Sequence, residues 1–133
     1  MKRHSMGDLA YLKFSLAREA LDQGDEVSAI MLLRESLELN DHFKSYELLG
    51  GICLKQGDWV QARQYLEKAY ALNPRNDKTA TLLAEALSGQ GDSRDAIRVL
   101  EGVLLRNKNY GPAQKLLKQL KEEYTHECES SCL

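Results

Sequence analysis

The 133-residue chain is short of proline, with only Pro74 and Pro112. Long stretches are therefore free to be helical, and the strong helix formers Leu, Ala, Glu, Lys and Gln fill them. No run of apolar residues approaches the roughly 20 needed to cross a bilayer, so no membrane span is expected. The opening residues, MKRHSMGD, lack the apolar stretch of a secretory signal, which points to a soluble, cytoplasmic protein. A charge excess of either sign is missing too. Eighteen basic and twenty acidic side chains leave a net charge of -2, too little to gather phosphate backbones, and no nucleic-acid partner is expected. The three cysteines, Cys53, Cys128 and Cys132, are an odd number, two of them crowded in the tail, which fits a reducing compartment better than a disulfide framework.

Catalytic groupings are equally scarce. The glycines stand mostly singly, so no phosphate-cradling loop is present. His4, His42 and His126 lie in the two terminal stretches and one turn, where nothing orients them as a base for a cysteine nucleophile. His126, Cys128 and Cys132 bring three soft ligands close together, but a zinc site normally takes four and no second cluster exists. Cys53 reads as a small buried hydrophobe. No catalytic residue, metal or cofactor is expected, and the chain reads as a non-enzyme.

What the sequence does contain is a repeat. Leu21-Asp22-Gln23-Gly24-Asp25, Leu54-Lys55-Gln56-Gly57-Asp58 and Gly89-Gln90-Gly91-Asp92 place their last glycines 33 and then 34 residues apart. Glycine suits the left-handed position that ends one helix, and aspartate can cap the first amides of the next, so each Gly-Asp marks a tight helical hairpin. After each turn comes an alanine with apolar residues at helical spacing: Ala29 and Leu33, Ala62 and Leu66, Ala96 and Leu100. Before each turn stands a leucine followed by a small residue: Leu16-Ala17, Leu49-Gly50 and Leu83-Ala84. Small residues let two antiparallel helices approach closely.

These residues resemble the tetratricopeptide repeat family, whose pattern runs aromatic-x2-Leu-Gly-x2-Tyr, then Ala-x3-Phe, then Pro. The middle unit matches best, with Tyr46, Leu49, Gly50, Ala62, Leu66, Ala69 and Pro74, and with Trp59 packing where its second helix begins. Cys53 and Leu66 replace the aromatics of the pattern, and the flanking units lose the closing proline. The resemblance implies an all-α solenoid of three hairpins over about 8–41, 42–75 and 76–109 within a domain of 8–124. Helices are expected at 8–23, 26–39, 42–56, 59–72, 76–89, 92–106 and 111–124, the last a polar capping helix opening near Pro112. Residues 1–7 and 125–133 are expected as flexible ends. The final Ser131-Cys132-Leu133 also resembles endings that add as a strand to PDZ domains, a match that chance often produces.

In arrays of this kind the first helix of each hairpin lines a concave groove that holds a peptide or helix of another protein. By helical phase the first offers Tyr11, Phe14, Ser15, Arg18 and Asp22, the second Lys44, Glu47, Leu48, Gly51 and Lys55, and the third Lys78, Thr81, Leu82 and Glu85. Tyr11, Phe14, Leu48 and Leu82 would anchor apolar groups, with Arg18, Lys44 and Lys78 beside them for an acidic segment and Glu47 and Glu85 on the same face. Phe14 and Leu82 are open to a second reading as hairpin core. The carboxylate clamp by which some family members grip chaperone C-termini is not matched: only Lys78 fits, while Phe14, Arg18, Gly51 and Leu82 stand where it wants Lys, Asn, Asn and Arg. The expected function is a protein-interaction adaptor or scaffold. The alternative is an assembly unit that self-associates through an N-terminal helix unusually apolar for a free end, at Leu9, Tyr11, Leu12, Phe14 and Leu16.

Overall fold

Proline-poor, leucine- and alanine-rich segments punctuated by Gly-Asp fold here as helices throughout. A computed structural model describes the backbone of residues 6–131 and the side chains of 7–123 and Thr125. Its helices are α1 (Met6–Asp22), α2 (Glu26–Leu39), α3 (Phe43–Lys55), α4 (Trp59–Leu72), α5 (Asp77–Gly89), α6 (Ser93–Arg106) and α7 (Gly111–Ser131). No strand occurs among the described residues, and no helix there is long and apolar enough to cross a membrane. The expectations for residues 1–5 and for Cys132 and Leu133 fall outside the described residues, as do the side chains of His126 and Cys128.

The three Gly-Asp turns close alike. Gly24, Gly57 and Gly91 have φ of 79°, 74° and 87°, a region that residues with a Cβ rarely adopt. In the first turn the Gly24 amide donates to the Leu21 carbonyl at 2.9 Å and the Asp25 amide to the Ala20 carbonyl at 2.8 Å, the paired bonds of a Schellman ending. Capping differs between turns. Asp25 and Asp58 accept from the amides of Ser28 and Gln61 at 3.1 and 3.2 Å. Asp92 caps no amide with its side chain and instead sits 3.8 Å from the Arg63 guanidinium of α4.

Each turn folds a hairpin, α1 on α2, α3 on α4 and α5 on α6, and α7 lies against α6 and α5. The small residues do what close approach requires. Ala17, Ala29, Ala62, Ala84 and Ala96 are wholly buried with Leu33, Leu66 and Leu100. A Cβ on Gly50 would collide with the Leu66 side chain, so Leu66 of α4 packs directly on the α3 backbone here. Between repeats, Arg106 of α6 donates to the Pro74 carbonyl at 3.0 Å and pairs with Asp77 at 3.3 Å, fixing the connector into α5.

The chain end departs from expectation. α7 continues to Ser131, beyond the expected stop at 124, and takes in most of the expected tail. After Pro112 no glycine or proline interrupts the sequence, and the Thr125 hydroxyl donates to the Lys121 carbonyl one turn back at 2.8 Å. Likewise α1 starts at Met6, two residues before the helix start expected at 8.

Candidate functional site

The repeat spacing sorts the first helices into registers. Tyr11, Lys44 and Lys78 form one, Ser15, Leu48 and Leu82 a second, and Arg18, Gly51 and Glu85 a third, each separated by 33 and 34 residues. These registers look into the concave side. A groove of about 590 Å³ opens there at the turn end of the array, between Leu48, Gly51 and Lys55 of α3, Lys78, Leu82 and Glu85 of α5, and Leu21 at the end of α1. Ile52 and Leu54 add to its apolar lining, and Trp59 walls it from the start of α4. Gly89 makes room for that wall: a Cβ there would collide with the indole ring.

Five of the expected residues, Glu47, Leu48, Lys78, Leu82 and Glu85, come together in this groove. The remaining four do not line it. Arg18 and Lys44 are exposed and form no ion pair among the described residues. Tyr11 and Phe14 line a separate cavity of about 170 Å³ with Gly7, Ala10, Ser36, Asn40, His42 and Ser45. Phe14 is a correction to the groove reading. It is 8% exposed and belongs to the core of the first hairpin, its ring edge-on to His42 with centroids 6.3 Å apart.

The reason lies in a fourth register, Phe14, Glu47 and Thr81, which turns toward the neighbouring first helix. Thr81 is buried, its hydroxyl donating to the Asp77 carbonyl at 2.7 Å. Glu47 is mostly covered, accepts a hydrogen bond from the Thr79 hydroxyl and lies 3.6 Å from the Lys78 ammonium. Lys78 thus has a carboxylate beside it, although its own side chain is 70% exposed and the pair is open to water.

The groove's electrostatics follow from that pairing. Glu26, Glu47 and Glu85 line it against Lys55 and Lys78, three carboxylates to two ammoniums. Glu26 accepts from the Gln56 amide at 3.4 Å. The Glu85 side chain reaches solvent at the groove mouth, yet the surrounding walls withhold enough water to push its pKa up from the ordinary carboxylate value. Helical phase missed Leu21, Glu26, Ile52, Leu54 and Trp59. The turn spacing was the available signal for them, since it gathers the last turns of α1 and α3 at one end of the array. No group of three or more metal-ligating side chains occurs among the described residues.

Two sequence profiles described as tetratricopeptide repeat match this chain, one over residues 54–124 and one over 14–77. Cellulose synthase operon protein C of Komagataeibacter xylinus is 32% identical over 115 residues, 81% of this chain but 8% of that protein, so the chain spans a small fraction of its relative. Among solved structures, the Arabidopsis OM64 TPR domain superposes with a TM-score of 0.82 at 17% identity, over 89% of this chain and 98% of that one. The first TPR of Spaghetti (RPAP3) bound to HSP90 peptide SRMEEVD gives 0.83 at 16% identity, over 90% and 98%. At these identities the superpositions establish the fold.

Proposed function

Because the chain belongs to the tetratricopeptide repeat family, we propose that it is a non-catalytic adaptor or scaffold that holds a peptide or helical segment of another protein in its concave groove. The observation that carries this reading is the groove itself. Leu48, Ile52, Leu54 and Leu82 offer an apolar lining on rigid, packed helices, so little ordering is needed before a segment binds. Each large apolar side chain that a partner fully covers is worth about 1.5–3 kcal/mol.

The charge balance refines the partner's character. The peptide in the Spaghetti (RPAP3) structure, SRMEEVD, is rich in carboxylates. Here carboxylates outnumber ammoniums in the groove, Lys78 stands 3.6 Å from Glu47, and Glu85 forms no ion pair among the described residues. The segment proposed is therefore an apolar anchor flanked by Lys, Arg or hydrogen-bond donors, with a donor opposite Glu85.

The test is partner capture with Leu48→Ser and Leu82→Ser combined, read beside circular dichroism. Capture is expected to fall by tenfold or more, since about 1.4 kcal/mol corresponds to one decade, while the helical signal is kept. Undiminished capture by the folded double variant would sink the reading. Phe14 is left unchanged because it is core.

A further inference from the structure

The repeat makes it possible to compare α1 with its own counterparts. Leu16, Leu49 and Leu83 share one register, and Leu49 and Leu83 are 2% and 6% exposed while Leu16 is 42% exposed. Leu12 shares a register with Ser45 and Thr79, both at 0%, yet Leu12 is 53% exposed. In α3 and α5 this seam is covered by the second helix of the preceding hairpin, α2 or α4. No described element covers it in α1. Where the covered seams carry small polar residues, α1 carries Leu12, with exposed Leu9 one turn away, and where they carry Ile52 and Ala86 it carries Glu19. The result is an apolar stripe with a carboxylate at one end.

The other end of the array shows the reverse substitution. Lys118 of α7 stands in the register of Ala17, Gly50 and Ala84, and Lys121 in that of Ala20, Cys53 and Leu87. At those positions the earlier helices pack on the second helix of their own hairpin. Beside α7 a groove of about 640 Å³ is left instead, lined by Leu104 of α6 and by Leu117, Lys118, Lys121, Glu122 and Thr125 of α7. Its apolar lining is Leu104 and Leu117 with the aliphatic stems of Gln114, Lys118 and Lys121 beside them, and its lysines lie where a long ammonium-bearing side chain replaces a small one.

We propose that the two ends recognise each other between molecules: α1 of one copy lays Leu9, Leu12 and Leu16 into the α6–α7 groove of a second copy, with Glu19 meeting Lys118 and Lys121. The complementarity is of both kinds, apolar stripe to apolar groove and carboxylate to ammonium. Lys121 is now 3.6 Å from Glu101 in a pair more than half exposed on both sides, an arrangement that water screens and that is readily exchanged. A symmetric α1–α1 pairing fits less well. It would match stripe to stripe but bring neither Lys118 nor Lys121 to Glu19. The head-to-tail contact joins two different surfaces, so each complex keeps a free head and a free tail and further copies add in line. It involves neither wall of the concave groove and is independent of the proposed adaptor role.

Sedimentation velocity of the full chain over a concentration series tests this. Species beyond a dimer are expected to grow with concentration. A head variant, Leu12→Ser with Glu19→Lys, and a tail variant, Lys118→Glu with Lys121→Glu, should each lose all species above monomer. Leu12→Ser introduces the residue found at Ser45, and circular dichroism verifies that both variants remain folded. Mixed together they offer one intact head and one intact tail and should associate, whereas neither variant associates alone. A wild-type monomer at every concentration would overturn the proposal. So would association that the head variant abolishes and the tail variant leaves intact, or a mixture that stays monomeric.

Discussion

Glu85 shows how one side chain reports on the groove around it. Loss of water raises its carboxyl above the 4.5 of the free group. The native state then holds this proton more tightly than the unfolded chain does. The contribution of Glu85 therefore favours the fold at low pH, and that benefit is lost as pH rises from 4.5 through the raised value. Glu85→Gln is expected to remove this part of the pH slope and to raise stability on the alkaline side of the interval, as read by denaturant midpoints on either side of it. Unchanged slopes would mean that the carboxyl is better hydrated than the geometry implies. The same group should make partner binding pH-dependent: a cation set opposite it favours the ionised form, so affinity falls as the carboxyl takes up its proton.

At residue scale the sequence was clear about composition of the groove and ambiguous about depth. Leu48, Leu82 and Glu85 could be placed because their registers repeat cleanly with the turn glycines. Phe14 and Thr81 were misplaced because helical phase separates core from solvent but does not separate solvent from the seam between successive first helices. The engagement of Lys78 depends on Glu47 in a different helix, 31 positions earlier, a tertiary contact that no local pattern encodes.

Among the elements, the hairpin turn is the unit whose chemistry was most openly written. A glycine in the left-handed region followed by aspartate appears three times and closes three turns. The capping is nonetheless unequal, because Asp58 and Asp25 accept from backbone amides whereas Asp92 faces Arg63. Asp58→Ala and Asp25→Ala are each expected to lower the melting temperature by roughly 2–6 °C through loss of a cap. Asp92→Ala should lower it less, since an exposed ion pair contributes little. Differential scanning calorimetry of the three variants checks the ranking, and an equal or larger loss at Asp92 would refute it. The extent of α7 was the element the sequence left open. Its Lys- and Glu-rich residues fit a solvated helix and a solvated coil alike, and only a stop signal would have told them apart.

The whole molecule is a linear stack, and in such a stack stability is set by each unit and its nearest neighbours. The buried residues fall into two clusters. One joins Phe14, Ala17, Ala29 and Leu33 to Leu49 and Ile52 of α3, and the larger one runs from Cys53 through α4, α5 and α6 to Leu120 of α7. Tyr65 packs against both and so bridges the stack. The seam between α2 and α3 is less extensive than that between α4 and α5, and α1 has an uncovered outer stripe. The first hairpin therefore has the fewest neighbours holding it and should open before the rest. Hydrogen exchange is expected to show α1 and α2 less protected than α3 to α6 at concentrations too low for self-association. Raising the concentration should protect α1 together with α7, the two surfaces proposed to meet, while the amides of α4 change little. Uniform protection along the chain would remove the first expectation. A concentration-dependent gain confined to α1 would replace the head-to-tail contact with a symmetric one.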